Sequence, residues 1–134
     1  MILIINTADK EQVFIGLVDK NEIIIFKKFK AKYQQAEKLL VKIDELLKVK
    51  SLKLKDLKAV GVVSGPGPFT ALRIGIATAN TLGFALKIPV IELKSSDFDN
   101  VDNLAKIIKN KNKKVGKIVK PQYGKEPNIT KAKK

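Results

Sequence analysis

The chain opens with three runs of apolar or alternating residues that predict three β-strands, over Ile2 to Ile5, Gln12 to Val18 and Glu22 to Phe29. The segments between them, Thr7 to Lys10 and Asp19 to Asn21, contain the residue types that form tight turns. Strands joined by such short connections pair antiparallel. The first thirty residues are therefore predicted to form an antiparallel meander.

After the third strand the pattern changes to the period of a helix. Between Tyr33 and Val49 the apolar residues recur at steps of three and four, with polar residues on the opposite face. The run Ala59 to Val63 is short and apolar, which is typical of a strand buried on both faces. Phe69 to Leu86 predicts a second helix that is apolar nearly all round and therefore largely covered, and Pro89 to Ile91 predicts a last short strand.

Three antiparallel strands followed by helix, strand, helix and strand are the elements of a ribonuclease-H-like or actin-like half-domain. Helical crossovers make the later strands parallel, so we predict an α/β fold with a mixed five-stranded sheet of order 3-2-1-4-5. We assign residues 1–96 to this domain. Residues 97–119 are expected to form a bridging helix, Asp97 to Asn110, and a short edge strand, Val115 to Val119. Residues 120–134 are expected to form a basic, flexible end.

Composition narrows the chemistry that the chain can carry. The sequence has no cysteine and no histidine, which excludes disulfides, thiolate nucleophiles and imidazole catalysis. We find no apolar run long enough for a membrane and no signal peptide, so we expect a cytoplasmic protein without a membrane partner. The neighbouring acids Asp97, Asp99 and Asp102 are interpreted as helix-start residues. The chain is therefore predicted to be no enzyme by itself and to have no metal site.

Most of the net charge of +14 lies near the C-terminal end. Residues 105–134 contain eleven lysines and a single acid, Glu126. Such a segment attracts polyanions such as RNA by neutralising phosphates, without regard to sequence. A solvated, solubilising end is the alternative interpretation, and the excess of lysine over arginine also fits a lysine-biased proteome.

A glycine- and proline-rich turn, Ser64 to Pro68, joins the fourth strand to the second helix. Gly65 and Gly67, together with Thr7 and Thr70, are candidate contacts for the phosphate of a nucleotide at the helix N-terminus. The turn lacks the lysine of a P-loop and the third glycine of a dinucleotide fingerprint, and its prolines remove donors. A tight strand-to-helix joint is therefore the favoured interpretation.

The second helix has a small residue at every fourth position: Ala71, Gly75, Ala79 and Gly83. Such a stripe lets another backbone approach closely. It fits either a partner protein or this chain's own first helix and sheet. Arg73, the only arginine, is a candidate for pairing with a carboxylate or a phosphate, because a guanidinium binds either group in bidentate fashion.

The segment Val62 to Leu93, VVSGPGPFTALRIGIATANTLGFALKIPVIEL, resembles the signature of the TsaB (YeaZ) family, where a strand precedes a G-P-G-S-F-T-G-L-R-like turn and a helix. Lys120 to Lys134, KPQYGKEPNITKAKK, resembles the family's C-terminal motif, and MILIINTADKEQVFIGLVD its first hairpin. The resemblance implies a member of this family, and we expect a shortened one that lacks most of the second domain. Asn6 stands where relatives usually have an acid, and an amide cannot supply a carboxylate to magnesium.

The resemblance implies a non-catalytic scaffold in tRNA N6-threonylcarbamoyladenosine modification of the adenosine beside the anticodon. The implied partners are a TsaD-like catalytic subunit and a TsaE-like ATPase, with tRNA bound through the complex and ATP or ADP as candidate cofactor at the partner interface. Without the enzyme, a homodimer through the same helices is expected. The implied interface lies on helices 33–49 and 69–86 and comprises Ala36, Leu40, Ile43, Leu47, Ala71, Leu72, Gly75, Ile76, Ala79 and Gly83. A nucleotide-binding actin-like domain and a basic RNA-binding module are the alternatives.

Overall fold

Five strands in one mixed sheet organise the part of the chain that the computed structural model describes, which is residues 1–9, 12–20, 22–30, 35–99, 103–111 and 113–122. The strands are β1 (Ile2–Asn6), β2 (Gln12–Asp19), β3 (Glu22–Lys30), β4 (Ala59–Val63) and β5 (Val90–Leu93). They lie in the order β3-β2-β1-β4-β5. β1 pairs antiparallel with β2 and parallel with β4, and β4 pairs parallel with β5. The predicted fold class and strand order are confirmed.

Helices cover both faces of the sheet: α1 (Gln35–Val49), α2 (Phe69–Leu86) and α3 (Leu104–Lys109). Leu3 and Ile5 of β1 point to the core under α1 and α2, whereas Ile4 points to a second core under α3. β1 and β4 are therefore buried on both sides, which explains why their sequences are continuous apolar runs. Among the helices described, none has the length and apolarity of a membrane span.

The amphipathic pattern of α1 is confirmed by its burial. Leu39, Ile43 and Leu46 are at most 2% exposed and pack on the sheet. The helix was predicted from Tyr33, but residues 31–34 lie outside the described part of the chain.

The segment after β5 differs from the single helix predicted over Asp97 to Asn110. A 3₁₀ turn covers Ser95–Phe98 and α3 covers Leu104–Lys109, while residues 100–102 lie outside the described part. The Asp97 carboxylate accepts a hydrogen bond from the Lys94 backbone N–H at 2.8 Å. Asp97 therefore caps the start of a turn from the third position of that turn, and the turn is 3₁₀ and not α-helical.

Val115 to Val119 is not the predicted edge strand. The Val119 N–H donates to Asn80 Oδ1 at 3.1 Å, and Asn80 Nδ2 donates to the Val119 carbonyl at 3.0 Å. Because a side chain of α2 binds these backbone groups, the segment runs along α2 instead of joining the sheet. The chain then reaches the end of β4, where the Gln122 N–H donates to the Ser64 carbonyl at 2.6 Å. Residues 123–134 lie outside the described part, so the flexibility of the end stays a prediction.

Candidate functional site: helix α2 and the turn before it

The turn between β4 and α2 lies at the carboxyl ends of the parallel strands, where open α/β sheets usually bind ligands. It contains a cis peptide bond between Gly65 and Pro66, and Gly65 has a φ of +135°. A Cβ on Gly65 would overlap the Gln122 carbonyl oxygen, and a Cβ on Gly67 would lie 2.7 Å from the Ala8 carbonyl oxygen. Both glycines are therefore required, because the chain's own backbone passes over the turn.

The two threonines predicted to contact phosphate lie in different surroundings. Thr7 is 1% exposed, its hydroxyl has no hydrogen-bond partner among the residues that the structure describes, and it lies against Gly75 of α2. Thr70 is exposed in the first turn of α2. The neighbouring Asn6 accepts a hydrogen bond from the Ala8 N–H at 2.9 Å. Together with the covered glycines, these residues form a packed joint and do not fit a nucleotide phosphate.

A polar cluster at the ends of β4 and β5 was not recognised from the sequence. The Ser64 hydroxyl donates to Glu92 Oε2 at 2.7 Å, and the Lys94 ammonium donates to the same oxygen at 3.2 Å. Burial raises the pKa of Glu92, but the two hydrogen bonds and the charges of Lys94 and Lys117 outweigh burial and lower this pKa. The signal available in the sequence was an acid inside a short, otherwise apolar strand, Val90–Leu93.

The Ser64 and Glu92 pair has the groups of a nucleophile and a base, but the hydroxyl is not accessible. Ser64 is 0% exposed, and its hydroxyl also lies 3.3 Å from the Leu93 carbonyl. The Gln122 backbone covers the adjoining Gly65. In this structure the pair connects the ends of two strands. Among the described residues, no group of three or more acidic side chains could hold a metal.

The small-residue stripe of α2 faces this chain's own sheet. A Cβ on Gly75 would overlap Oγ1 of Thr7, and a Cβ on Gly83 would overlap a methyl group of Val90 in β5. The two alanines of the stripe are also buried, at 5% exposure for Ala71 and 0% for Ala79. The interpretation that the stripe receives a second protein is therefore wrong for this structure, since the close approach that it permits is to the sheet.

Most other residues of the expected interface lie in the same core. Four of them are at most 3% exposed: Ile43, Leu47, Leu72 and Ile76. Leu40 is 56% exposed on α1, and the side chain of Ala36 lies outside the described part of the structure. A partner therefore has access to Leu40 but not to the four core residues in this structure.

The opposite side of α2 is exposed and uncharged. Ala77, Thr81, Phe84 and Ala85 are all exposed there, and we call these four residues the outer face of α2. Phe84 is 88% exposed. No charged residue occurs from Ile74 to Leu86, although 30% of the chain is charged. The chain itself thus leaves α2 uncovered on this side, and an exposed aromatic on an uncharged surface is typical of a protein contact site.

An apolar groove of about 690 Å³ continues the outer face. It lies between the C-terminal half of α2 and residues 115–118. Three of its large apolar side chains are exposed, at 88% for Phe84, 56% for Val115 and 67% for Ile118. Lys87 and Lys117 also line the groove. The groove therefore adds a lysine-containing apolar surface to the outer face.

Arg73 lies in the second turn of α2, the fifth residue of the helix. Its side chain is exposed and lines a shallow depression with Thr70, Ile74, Ala77 and Thr78. This places the guanidinium beside the outer face. Its pairing with a carboxylate or phosphate of a ligand stays a prediction.

The sheet order and the helical crossovers define a ribonuclease-H-like, actin-like α/β domain. Its candidate site consists of the exposed outer face of α2 and the packed turn that joins β4 to α2. A family model described as "TsaD: tRNA N6-adenosine threonylcarbamoyltransferase" matches residues 29–99. The chain belongs to this family and is TsaB-like, or YeaZ-like, within it.

Each relative matches this chain over less than half of its own length. An uncharacterized protein of Mycobacterium tuberculosis strain H37Rv is 37% identical over 98 residues, which are 72% of this chain and 46% of that protein. The tRNA threonylcarbamoyladenosine biosynthesis protein TsaB of Buchnera aphidicola subsp. Acyrthosiphon pisum is 36% identical over 76 residues, 57% of this chain and 34% of that protein. YeaZ from Pseudomonas aeruginosa superposes with a TM-score of 0.63 and 26% identity, covering 69% of this chain and 43% of that chain. The chain thus spans less than half the length of each of these relatives.

Proposed function

We propose that this chain is a non-catalytic subunit in tRNA N6-threonylcarbamoyladenosine synthesis and that it docks on a TsaD-like enzyme through the outer face of α2. Membership of the family supports the pathway, as does the relative named as a biosynthesis protein for this nucleoside. The proposed docking surface rests on the exposure of Phe84, whose side chain is 88% exposed on an uncharged helix face.

The energetics of this surface favour docking. Burying a phenylalanine side chain contributes about 1.5–3 kcal/mol, and nearly all of the Phe84 surface is still available. The outer face contains no charged group, so covering it does not require an ion to be desolvated. Val115 and Ile118 extend the same apolar surface along the groove.

The non-catalytic role is supported by the surroundings of Ser64. This hydroxyl has a carboxylate 2.7 Å away, but it is 0% exposed and lies beside the Gln122 segment. A nucleophile needs access to its substrate as well as a neighbouring base. The chain would therefore act by binding the TsaD-like enzyme preferentially in its active arrangement.

The other components join the complex of the two proteins in this scheme. A TsaE-like ATPase and the tRNA bind to the complex, and ATP or ADP belongs to the enzyme side of the interface. Without the enzyme, the exposed Phe84 favours a homodimer through the same face, because two apolar faces then cover each other.

Reconstitution tests this function. The full chain and its cognate TsaD-like protein should co-elute from a size-exclusion column. Adding the chain to the TsaD-like protein, the TsaE-like ATPase, tRNA and the threonylcarbamoyl donor should raise modification of the tRNA at least tenfold. Equal modification without the chain would contradict the subunit role, and modification by the chain alone would contradict its non-catalytic nature.

A further inference from the structure

Four lysines from separate segments surround a groove at the end of the sheet opposite the turn before α2. The groove measures about 530 Å³. Lys20 comes from the turn between β2 and β3, Lys58 immediately precedes β4, and Lys109 and Lys113 lie at the end of α3. All four side chains are exposed. The fold thus gathers charges that are far apart in the sequence, which the lysine-rich end alone did not predict.

The floor of this groove is aliphatic. It is formed by Ile2, Val18, Ala105 and Ile108, together with Met1. In the described ranges no acidic side chain lines the groove. These floor side chains offer neither hydrogen-bond donors nor acceptors, so the lysines determine what kind of ligand the groove attracts.

One of the four charges is fixed in position. The Lys113 ammonium donates to the carbonyls of Ile108 and Lys109 at 2.9 Å each and of Lys111 at 3.3 Å. These are carbonyls at the C-terminal end of α3, where a positive charge is favourable. The charge of Lys113 therefore stays beside the groove without any ligand.

The other three ammonium groups have no such partners. Lys20, Lys58 and Lys109 form no side-chain hydrogen bond or ion pair with any described part of the chain. Like charges around one groove repel each other, and an anion with several charges relieves that repulsion. The groove therefore favours a ligand with negative charges repeated every few ångströms.

We propose that this groove binds the phosphate backbone of RNA. A nucleic-acid strand carries one negative charge per nucleotide, and neutralising its phosphates releases condensed counterions. The aliphatic floor offers no donor or acceptor to base edges, and contacts of lysines with phosphates carry no sequence information, so binding is independent of sequence. The preference for RNA over other polyanions rests on the proposed function, which brings tRNA to the complex, whereas the anion site rests on the lysines alone.

A charge-matched pair of variants tests the site. Lys58→Gln/Lys109→Gln removes two charges from the groove, and Lys30→Gln/Lys38→Gln removes two exposed charges elsewhere. Fluorescence anisotropy with a labelled 12-nucleotide single-stranded RNA is measured between 50 and 200 mM salt. We expect the groove variant to bind at least fivefold more weakly. Its slope of log affinity against log salt should fall by about 1.4, or about 0.7 for each phosphate contact. The control should change affinity less than twofold.

Three results would overturn the proposal: no measurable binding of RNA, equal weakening by the two double variants, or equally effective competition by polyglutamate at the same charge. Equal weakening would indicate an effect of net charge, and competition by polyglutamate would indicate an acidic protein as ligand. If thermal melting shows that the groove double variant is unfolded, the single variant Lys58→Gln replaces it, and Lys30→Gln serves as the control. The expected change in the slope of log affinity against log salt is then about 0.7. Because these measurements use the full chain without a TsaD-like enzyme, their failure is distinguishable from failure of docking.

Discussion

Thr7 and Gly75 meet where the chain leaves β1 and passes under α2. The spacing of the small residues was visible in the sequence, but what they face was not. A stripe of glycine and alanine permits the same close approach to a helix or to a sheet, so spacing cannot distinguish the two. The stripe packs against the chain's own sheet, so a substitution at Gly75 tests the stability of the fold and not docking on a partner.

Gly75→Ala should destabilise the fold by up to about 2 kcal/mol. The new methyl group would overlap Thr7 Oγ1 and lie 2.9 Å from its Cγ2, and such overpacking typically costs about 1–3 kcal/mol. The gain in helix propensity, about 1 kcal/mol, offsets only part of this cost. Denaturant unfolding measures the change.

The matched control removes the two side-chain atoms that the methyl group would overlap most, Oγ1 and Cγ2 of Thr7. In a Thr7→Ala background, Gly75→Ala should cost clearly less stability, because only the 3.1 Å contact with the Cβ of residue 7 remains and the propensity gain is unchanged. An equal loss of stability in both backgrounds would show that the methyl group meets something other than Thr7.

At the scale of elements, periodicity predicted the strands and the two long helices. β4 has the predicted bounds, Ala59–Val63, because a continuous apolar run between turn signals has few alternatives. The prediction of an edge strand over Val115 to Val119 was wrong, because β-branched residues favour a strand in any context. Only the fold shows that the Asn80 side chain binds the Val119 backbone instead. The Ser64 and Glu92 contact joins residues 28 positions apart and has no local signal.

Asn80→Ala should release residues 117–122 from α2. The substitution leaves the N–H and carbonyl of the 3%-exposed Val119 unpaired, which costs about 1–3 kcal/mol. We expect tryptic cleavage after Lys117 to become at least tenfold faster in limited proteolysis. Thr81→Ala, one residue further along the exposed side of α2, is the control and should leave the rate unchanged. Equal rates for Asn80→Ala and the unchanged chain would contradict the assigned role of Asn80.

At the scale of the whole molecule, the outer face of α2 and the groove with four lysines lie on different parts of the fold. The outer face of α2 is uncharged and exposes Phe84, whereas the groove at the start of β1 is lined by four lysines. Sequence analysis predicted that α1 and α2 carry the interface, but it named mostly residues that the fold buries. Helical period alone identifies which residues share a face, and it does not say which of two apolar faces a sheet will cover. Phe84 was missed for this reason.

Calorimetric titration of the cognate TsaD-like protein with Phe84→Ala tests the central claim most directly, with Leu54→Ala as the control. Leu54 is also an exposed large apolar residue, at 43%, but it lies in the 3₁₀ turn Leu54–Asp56, outside α2. If the outer face docks on the enzyme, Phe84→Ala should cost about 2 kcal/mol, or a roughly 30-fold higher Kd, and Leu54→Ala should change Kd less than twofold. A Kd for Phe84→Ala within twofold of the unchanged chain would contradict the proposed interface.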